Sequence, residues 1–208
     1  MKILIAIVAC HARKHHRESQ RQTWLKDLTQ ADYRFFLGRG PEQVLDDEVL
    51  LDVPDDYQNL VLKSRFIFEW AHEREYDYVF KCDDDTFVIP DRLLSSDFRK
   101  HDYTGEARVL DGLGRFICSG GGYWLSEKSL KELVNSPEEW QYKPRHLALN
   151  GPELWPEDRW VAEVLQRREV RPHDDRRYTS KEFADNETVI AKWEYSPEEM
   201  LEEYRRKI

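Results

Sequence analysis

Tyr78-Val79-Phe80-Lys81-Cys82-Asp83-Asp84-Asp85-Thr86-Phe87-Val88 carries an apolar run into three consecutive carboxylates and out into apolar residues again. Adjacent aspartates repel one another and suit neither strand nor helix, so a fold that sets them at the end of a buried strand requires a compensating cation. A divalent metal meets that need. Hard oxygen ligands suit Mg²⁺ or Mn²⁺, ions that keep positions open for substrate phosphate oxygens. The alternative is a solvated acidic loop closed by Asx-type hydrogen bonds. The flanks favour the metal reading: Val79 and Phe80 before the triplet, with Phe87, Val88 and Ile89 after it, make it the mouth of two buried segments. Ligands of open α/β sheets lie at such mouths, outside the carboxyl ends of the strands.

Outward from this stretch, the order of elements is α/β. Ile3 to Ala9 is a continuous apolar run suited to a central strand covered on both faces. Cys10 to Arg21 reads as a basic loop, with His11, Arg13, Lys14, His15, His16, Arg17 and Arg21. It either holds a nucleotide diphosphate, through Arg13, Arg17 and Arg21, or is a solvated surface. A helix starts over Arg21 to Leu28, strands follow at Tyr33 to Leu37 and Val49 to Val53, and Tyr57 to Glu75 is a helix with Leu62, Phe66 and Trp70 at four-residue intervals. Lys63, near the start of that helix, either faces the cleft or is a surface lysine. The β, α, β, α, β order favours a mostly parallel sheet with helices on both sides.

Beyond the triplet, Cys118-Ser119-Gly120-Gly121-Gly122-Tyr123-Trp124 joins two apolar pieces through glycines that let a ligand or another strand approach the backbone. Ser126 caps a helix to Val134. Asn135 to Pro156, with Trp140 and Trp155, is an irregular segment long enough to be an acceptor-side loop. Pro156-Glu157-Asp158 opens a helix whose inward face is Val161, Val164 and Leu165, and Ser196-Pro197-Glu198-Glu199 caps a last one.

At 208 residues the chain fits one domain, its donor half over about 1–90 and its acceptor half over about 91–208. A net charge of −9 argues against a nucleic-acid backbone or an anionic membrane as partner, though not against a nucleotide held in one cationic cleft. Cys10, Cys82 and Cys118 are odd in number, which leaves at least one thiol free and points to a reducing compartment. The apolar opening is too short for a membrane span and lacks a basic leader, so a cytoplasmic location is expected and the sequon Asn186-Glu187-Thr188 is read as chance.

Taken together, several blocks resemble the β-1,3-galactosyltransferase-like family of nucleotide-sugar glycosyltransferases. They are Arg17-x-x-x-Arg21-x-Thr23-Trp24, Phe35-Phe36-Leu37-Gly38, Asp56-Tyr57-Gln58-Asn59-Leu60 with Lys63, Phe80-Lys81-x-Asp83-Asp84-Asp85-Thr86-Phe87-Val88, Cys118 to Tyr123, and Pro156-Glu157-Asp158, in family order. The resemblance implies a single A-type glycosyltransferase domain, a Rossmann-like mostly parallel sheet flanked by helices. It also implies a metal-dependent, inverting hexosyltransferase that takes a UDP-sugar as donor and a glycan or glycoconjugate hydroxyl as acceptor. Asp83 and Asp85 would hold Mn²⁺ or Mg²⁺, with His173 as a further ligand, and Asp84 would lean toward the donor sugar or ribose. Asp158 matches the family's general base. Glu157, Gly121, Gly122, Tyr123 and Trp124 would lie on the acceptor side. The family's membrane anchor and paired cysteines are not matched within this sequence, which is expected to be either a soluble cytoplasmic form or a catalytic piece of a longer polypeptide, and Arg159-Trp160-Val161-Ala162 departs from the family's late block. A metal-dependent phosphohydrolase and a non-catalytic sugar-binding module are the alternatives, the first because an acidic cluster at a strand end also serves hydrolysis.

Overall fold

In the computed structural model, residues 1–40, 44–110, 114–117, 121–136, 156–180 and 190–207 are described. The sequon at Asn186, the segment around Trp140 and Trp155, and Cys118 to Gly120 lie outside them. The strands are β1 (Ile3–Val8), β2 (Asp32–Leu37), β3 (Glu48–Leu50), β4 (Tyr78–Asp83), β5 (Phe87–Val88), β6 (Tyr103–Gly105), β7 (Ala107–Leu110), β8 (Gly114–Ile117), β9 (Tyr123–Ser126), β10 (His173–Asp174), β11 (Tyr178–Ser180) and β12 (Ala191–Trp193). The helices are α1 (Lys14–Gln22), α2 (Leu60–Glu73), α3 (Pro90–Ser95), α4 (Glu127–Val134), α5 (Pro156–Arg167) and α6 (Pro197–Lys207).

Seven strands form the central sheet in the order β10-β6-β9-β4-β1-β2-β3. It is mostly parallel: β1 pairs in parallel with both β2 and β4, while β9 runs antiparallel to β4 and β6. The continuous apolar run of β1 is explained by its place between two neighbours, buried on both faces. Leu4, Ala6 and Val8 join a core with Val61, Ile67, Phe68 and Ala71 of α2, Leu130 and Leu133 of α4, and Trp160, Val161, Val164 and Leu165 of α5. Ile3, Ile5, Ile7 and Ala9 join the opposite core with Trp24, Leu25, Leu93, Phe98 and Met200. At about 1.5–3 kcal/mol per large apolar side chain buried, these two layers dominate the favourable side of folding.

Local choices agree with the layers. Ser126 accepts from the Ser129 N–H at the start of α4. Ser196 and Glu199 form a reciprocal capping box on α6, each side chain accepting from the other's backbone N–H, at 3.2 and 2.8 Å. Three expectations need correction. The basic stretch after β1 is not a loop throughout: it turns through His11–Arg13 and becomes α1, whose buried residues are the polar Arg17, Ser19 and Gln20. Trp24, Leu25 and Leu28 are buried as expected, but Trp24–Lys26 forms a tight 3-10 turn after α1. In α2 the deepest face is Val61, Ser64, Ile67, Phe68 and Ala71, while Leu62, Phe66 and Trp70 pack at its margin. Among the described residues, no helix is long and apolar enough to cross a membrane.

Candidate active site

The acidic triplet caps the central strand β4. The Thr86 N–H donates to the Asp83 carbonyl at 3.2 Å, turning the chain back. Gln20 of α1 donates through Nε2 to the carbonyls of Asp83 (3.2 Å) and Thr86 (2.9 Å), Trp24 Nε1 donates to Thr86 (3.1 Å), and the Tyr195 N–H donates to Asp85 (3.1 Å). Backbone carbonyls that the turn would otherwise strand are thus held from both ends of the chain.

The side chains are less balanced. Arg13, reaching over from the end of β1, contacts Asp84 at 3.0 Å and Asp85 at 3.2 Å. Asp84 is 2% exposed, and its Oδ2 has no hydrogen-bond partner among the described residues. Burial pushes its carboxyl up to about 8, with Arg13 opposing and Asp85 and Asp83 adding to the rise. Asp83 is also raised, by burial first; Lys81 works against that, and Asp85 and Glu157 reinforce it.

On the same face of β4, two residues before Asp83, Lys81 is completely buried. Its Nζ lies 3.3 Å from Glu157 Oε2 and 3.6 Å from Asp83 Oδ1. The other Glu157 oxygen accepts a short hydrogen bond from the Tyr123 hydroxyl. Burial alone would lower the Lys81 pKa, but Glu157, Asp83 and Asp158 together raise it, so the group stays an ammonium. Glu157 and Asp158 occupy the first turn of α5, where the helix dipole favours anions, and both are buried. The triplet and the α5 acids therefore meet at one end of the sheet.

Several anticipated contributors have supporting places. Tyr123 and Trp124 are buried inside the protein; Trp124 Nε1 donates to the Tyr178 hydroxyl at 3.0 Å and its ring stacks on Phe98. At Gly121 a Cβ would meet the Tyr178 backbone at 2.7 Å, so the approach that glycine permits there is a strand's. Gly122, at φ +84°, would drive a Cβ to 2.3 Å from the Phe80 ring. Arg17 and Arg21 turn away from the triplet: Arg17 donates to Glu48 at 2.9 Å, and Arg21 forks onto Asp47 and also reaches Glu48, each at 2.8 Å. Lys63 is not a surface lysine. It is 3% exposed and donates to the Ala9 carbonyl (2.8 Å) and Asp55 (2.6 Å), while Asp55 also accepts from the backbone N–H groups of His11 and Gly38.

His173 is not brought to the triplet. Its register partner is Thr104, which pairs with Trp124, which pairs with Phe80, so it stands three strands from β4, about 14 Å at the usual strand spacing. Its ring stacks on His101 at 3.6 Å between centroids. Among the described residues, no three His, Cys, Asp or Glu side chains converge as a metal cage. The donor set still fits a hard divalent cation of the Mg²⁺ type, which is commonly held by one or two carboxylates plus substrate phosphates. Asp83 and Asp85 are partly exposed carboxylates at the mouth, beside the orphaned Asp84 oxygen. Sequence reasoning passed over Lys81 and Asp55. The first was marked by a charge interrupting an apolar strand; the second carried no local signal.

The galactosyltransferase family model matches residues 15–107, a span that includes the triplet and ends before α5. Comparison with curated proteins gives no sequence match. Among solved structures, the chain is similar to a glycosyltransferase involved in the glycosylation of the major capsid of PBCV-1. That likeness has a TM-score of 0.57 at 11% identity and covers 99% of this chain and 100% of that one. It is also similar to the apo form of the glycosyltransferase GlyE of Streptococcus pneumoniae TIGR4, with a TM-score of 0.60 at 12% identity, covering 94% of this chain and 55% of GlyE. The family match runs from α1 to the start of β7, and the fold is shared with solved glycosyltransferases over nearly all of the chain's length, so the chain resembles a galactosyltransferase-like family of glycosyltransferases.

Proposed function

We propose that this protein transfers a hexose from a nucleotide-sugar, of the UDP type, to a hydroxyl of a glycan or glycoconjugate, with inversion at the anomeric carbon and with Mn²⁺ or Mg²⁺ bound. The observation that carries this reading is the meeting of two acidic elements across one lysine: Asp83 of the triplet and Glu157, next to Asp158 on α5, 3.6 and 3.3 Å from the same Lys81 Nζ. A transferase needs both ends of that arrangement, one to manage the charge of a departing diphosphate and one to take a proton from the incoming hydroxyl.

Asp83 and Asp85 would hold the divalent ion, which when bound supplies Lewis-acid and template chemistry to the diphosphate. Asp84, buried and carrying an unsatisfied oxygen, would meet a donor hydroxyl. Arg13, the partly exposed cation over the triplet, would contact donor phosphate. Asp158, buried in the first turn of α5, would accept the proton of the attacking hydroxyl.

The test is incubation of the purified chain with a panel of nucleotide-sugars and candidate acceptors, with and without Mn²⁺, following nucleotide diphosphate and product. Acceptor-dependent, metal-dependent release from one donor, lost in Asp85→Ala, is expected. Release of inorganic phosphate would make the protein a phosphohydrolase, and metal-dependent binding without turnover across the panel would make it a binding module.

A further inference from the structure

Lys81 has no surface to snorkel to and sits inside the strand that joins both cores. Withdrawing its ammonium and the Glu157 carboxylate from water costs several kcal/mol for each ion, and apolar residues of the same volume often serve stability as well or better. Stability therefore does not account for this pair. Its geometry does suggest a use. Both Nζ–oxygen separations exceed the 2.7–2.9 Å typical of a charged hydrogen bond, so the ammonium is shared between Asp83 and Glu157 instead of committed to one.

Glu157 is fixed at both oxygens, by Lys81 on β4 and by Tyr123 on β9, and these two residues are direct register partners across the β4–β9 ladder. The start of α5 is thus tied to two adjacent central strands at one point. Gly122, which no other residue could replace without striking Phe80 and the Lys81 carbonyl, is what lets Tyr123 enter that position.

We propose that Lys81 is a positioning residue for transfer: shared between Asp83 and Glu157, it sets the separation between the donor-side triplet and the first turn of α5 that carries Asp158. This inference rests on the glycosyl-transfer reading. Without the ammonium, Asp83 and Glu157 lose the cation they share, and with it the tie between the end of β4 and the first turn of α5.

The experiment compares the wild-type chain, Lys81→Met, Glu157→Gln and the double variant Lys81→Met/Glu157→Gln. It reads thermal melting, amide hydrogen exchange over residues 157–161, and the donor KM and kcat for transfer. Lys81→Met alone buries an unpaired Glu157, so the double variant, which keeps an oxygen for Tyr123, is the deciding one. Its melting temperature should return toward wild type, its α5 start should exchange faster, and its kcat should stay about 100-fold low, the usual penalty for ångström-scale misplacement. A double variant with wild-type kcat and wild-type exchange would reduce Lys81 to a counter-ion for Glu157 and overturn the proposal. If the wild type transfers no sugar, the functional reading falls separately, and the exchange at α5 still decides the role of Lys81.

Discussion

Two ion clusters lie near the carboxyl end of the sheet, and they are built on opposite plans. Around Arg17 and Arg21, two guanidinium groups meet two carboxylates, Asp47 and Glu48, in a closed set of short hydrogen bonds. Around β4, Asp83, Asp84, Asp85 and Glu157 contact two cations among the described residues, Lys81 and Arg13, so four carboxyl groups share two positive charges. Their protonation follows. Burial would raise Asp47 and Glu48, yet Arg21 and Arg17 outweigh it and hold both below the ordinary carboxylate range. At Asp84 burial wins. A balanced cluster is satisfied within the fold, whereas under the proposed function the unbalanced one would be kept for a cation and a substrate.

The sharpest way to break this contrast is Asp158→Asn, expected to reduce transfer by about 10²–10⁴-fold, the scale of general-base help, while nucleotide diphosphate binding measured by calorimetry persists. Transfer at the wild-type rate would remove Asp158 from that role. In the balanced cluster, Arg17→Met should instead cost about 3 kcal/mol in denaturant unfolding, as expected when one partner of a buried pair is removed, with the folded fraction keeping its nucleotide affinity. Gly122→Ala should cost at least about 1–3 kcal/mol from its left-handed φ alone, with the Phe80 clash added, and lower the melting temperature accordingly.

The smallest effect concerns acid. Asp47, Glu48 and Asp55 have folded pKa values lowered by their cationic and N–H partners, against the opposing pull of burial. The stability they add is fully present above the ordinary carboxylate range of about 4 and is lost as pH falls through their lowered values. Melting temperature should therefore drop below about pH 4, and Asp47→Asn should flatten that drop.

What the sequence made legible was whatever its own local pattern determined. The strand β1, the apolar entry to the triplet and the two acids opening α5 are each written in consecutive residues. Helix α1 escaped because it buries Arg17, Ser19 and Gln20, held by hydrogen bonds to Glu48, Met200 and the β4 turn, so it lacks an apolar stripe. The regular Leu62, Phe66, Trp70 spacing named the right helix but not its deepest face, because smaller residues, Ser64 and Ala71, permit the closer approach. Lys63 and Arg17 matched family blocks, yet what each one binds depends on Asp55 and Glu48, chosen by the fold across distances no local pattern spans. His173 failed for the same reason, since its place follows from strand order and not from its neighbours in the chain.

The most direct test of the contrast is titration of UDP into the wild type, Asp85→Ala and Arg17→Met, each with and without Mn²⁺. The account predicts metal-dependent binding in the wild type, its loss in Asp85→Ala and its retention in folded Arg17→Met. Loss in Arg17→Met with retention in Asp85→Ala would reverse the roles of the two clusters and contradict it.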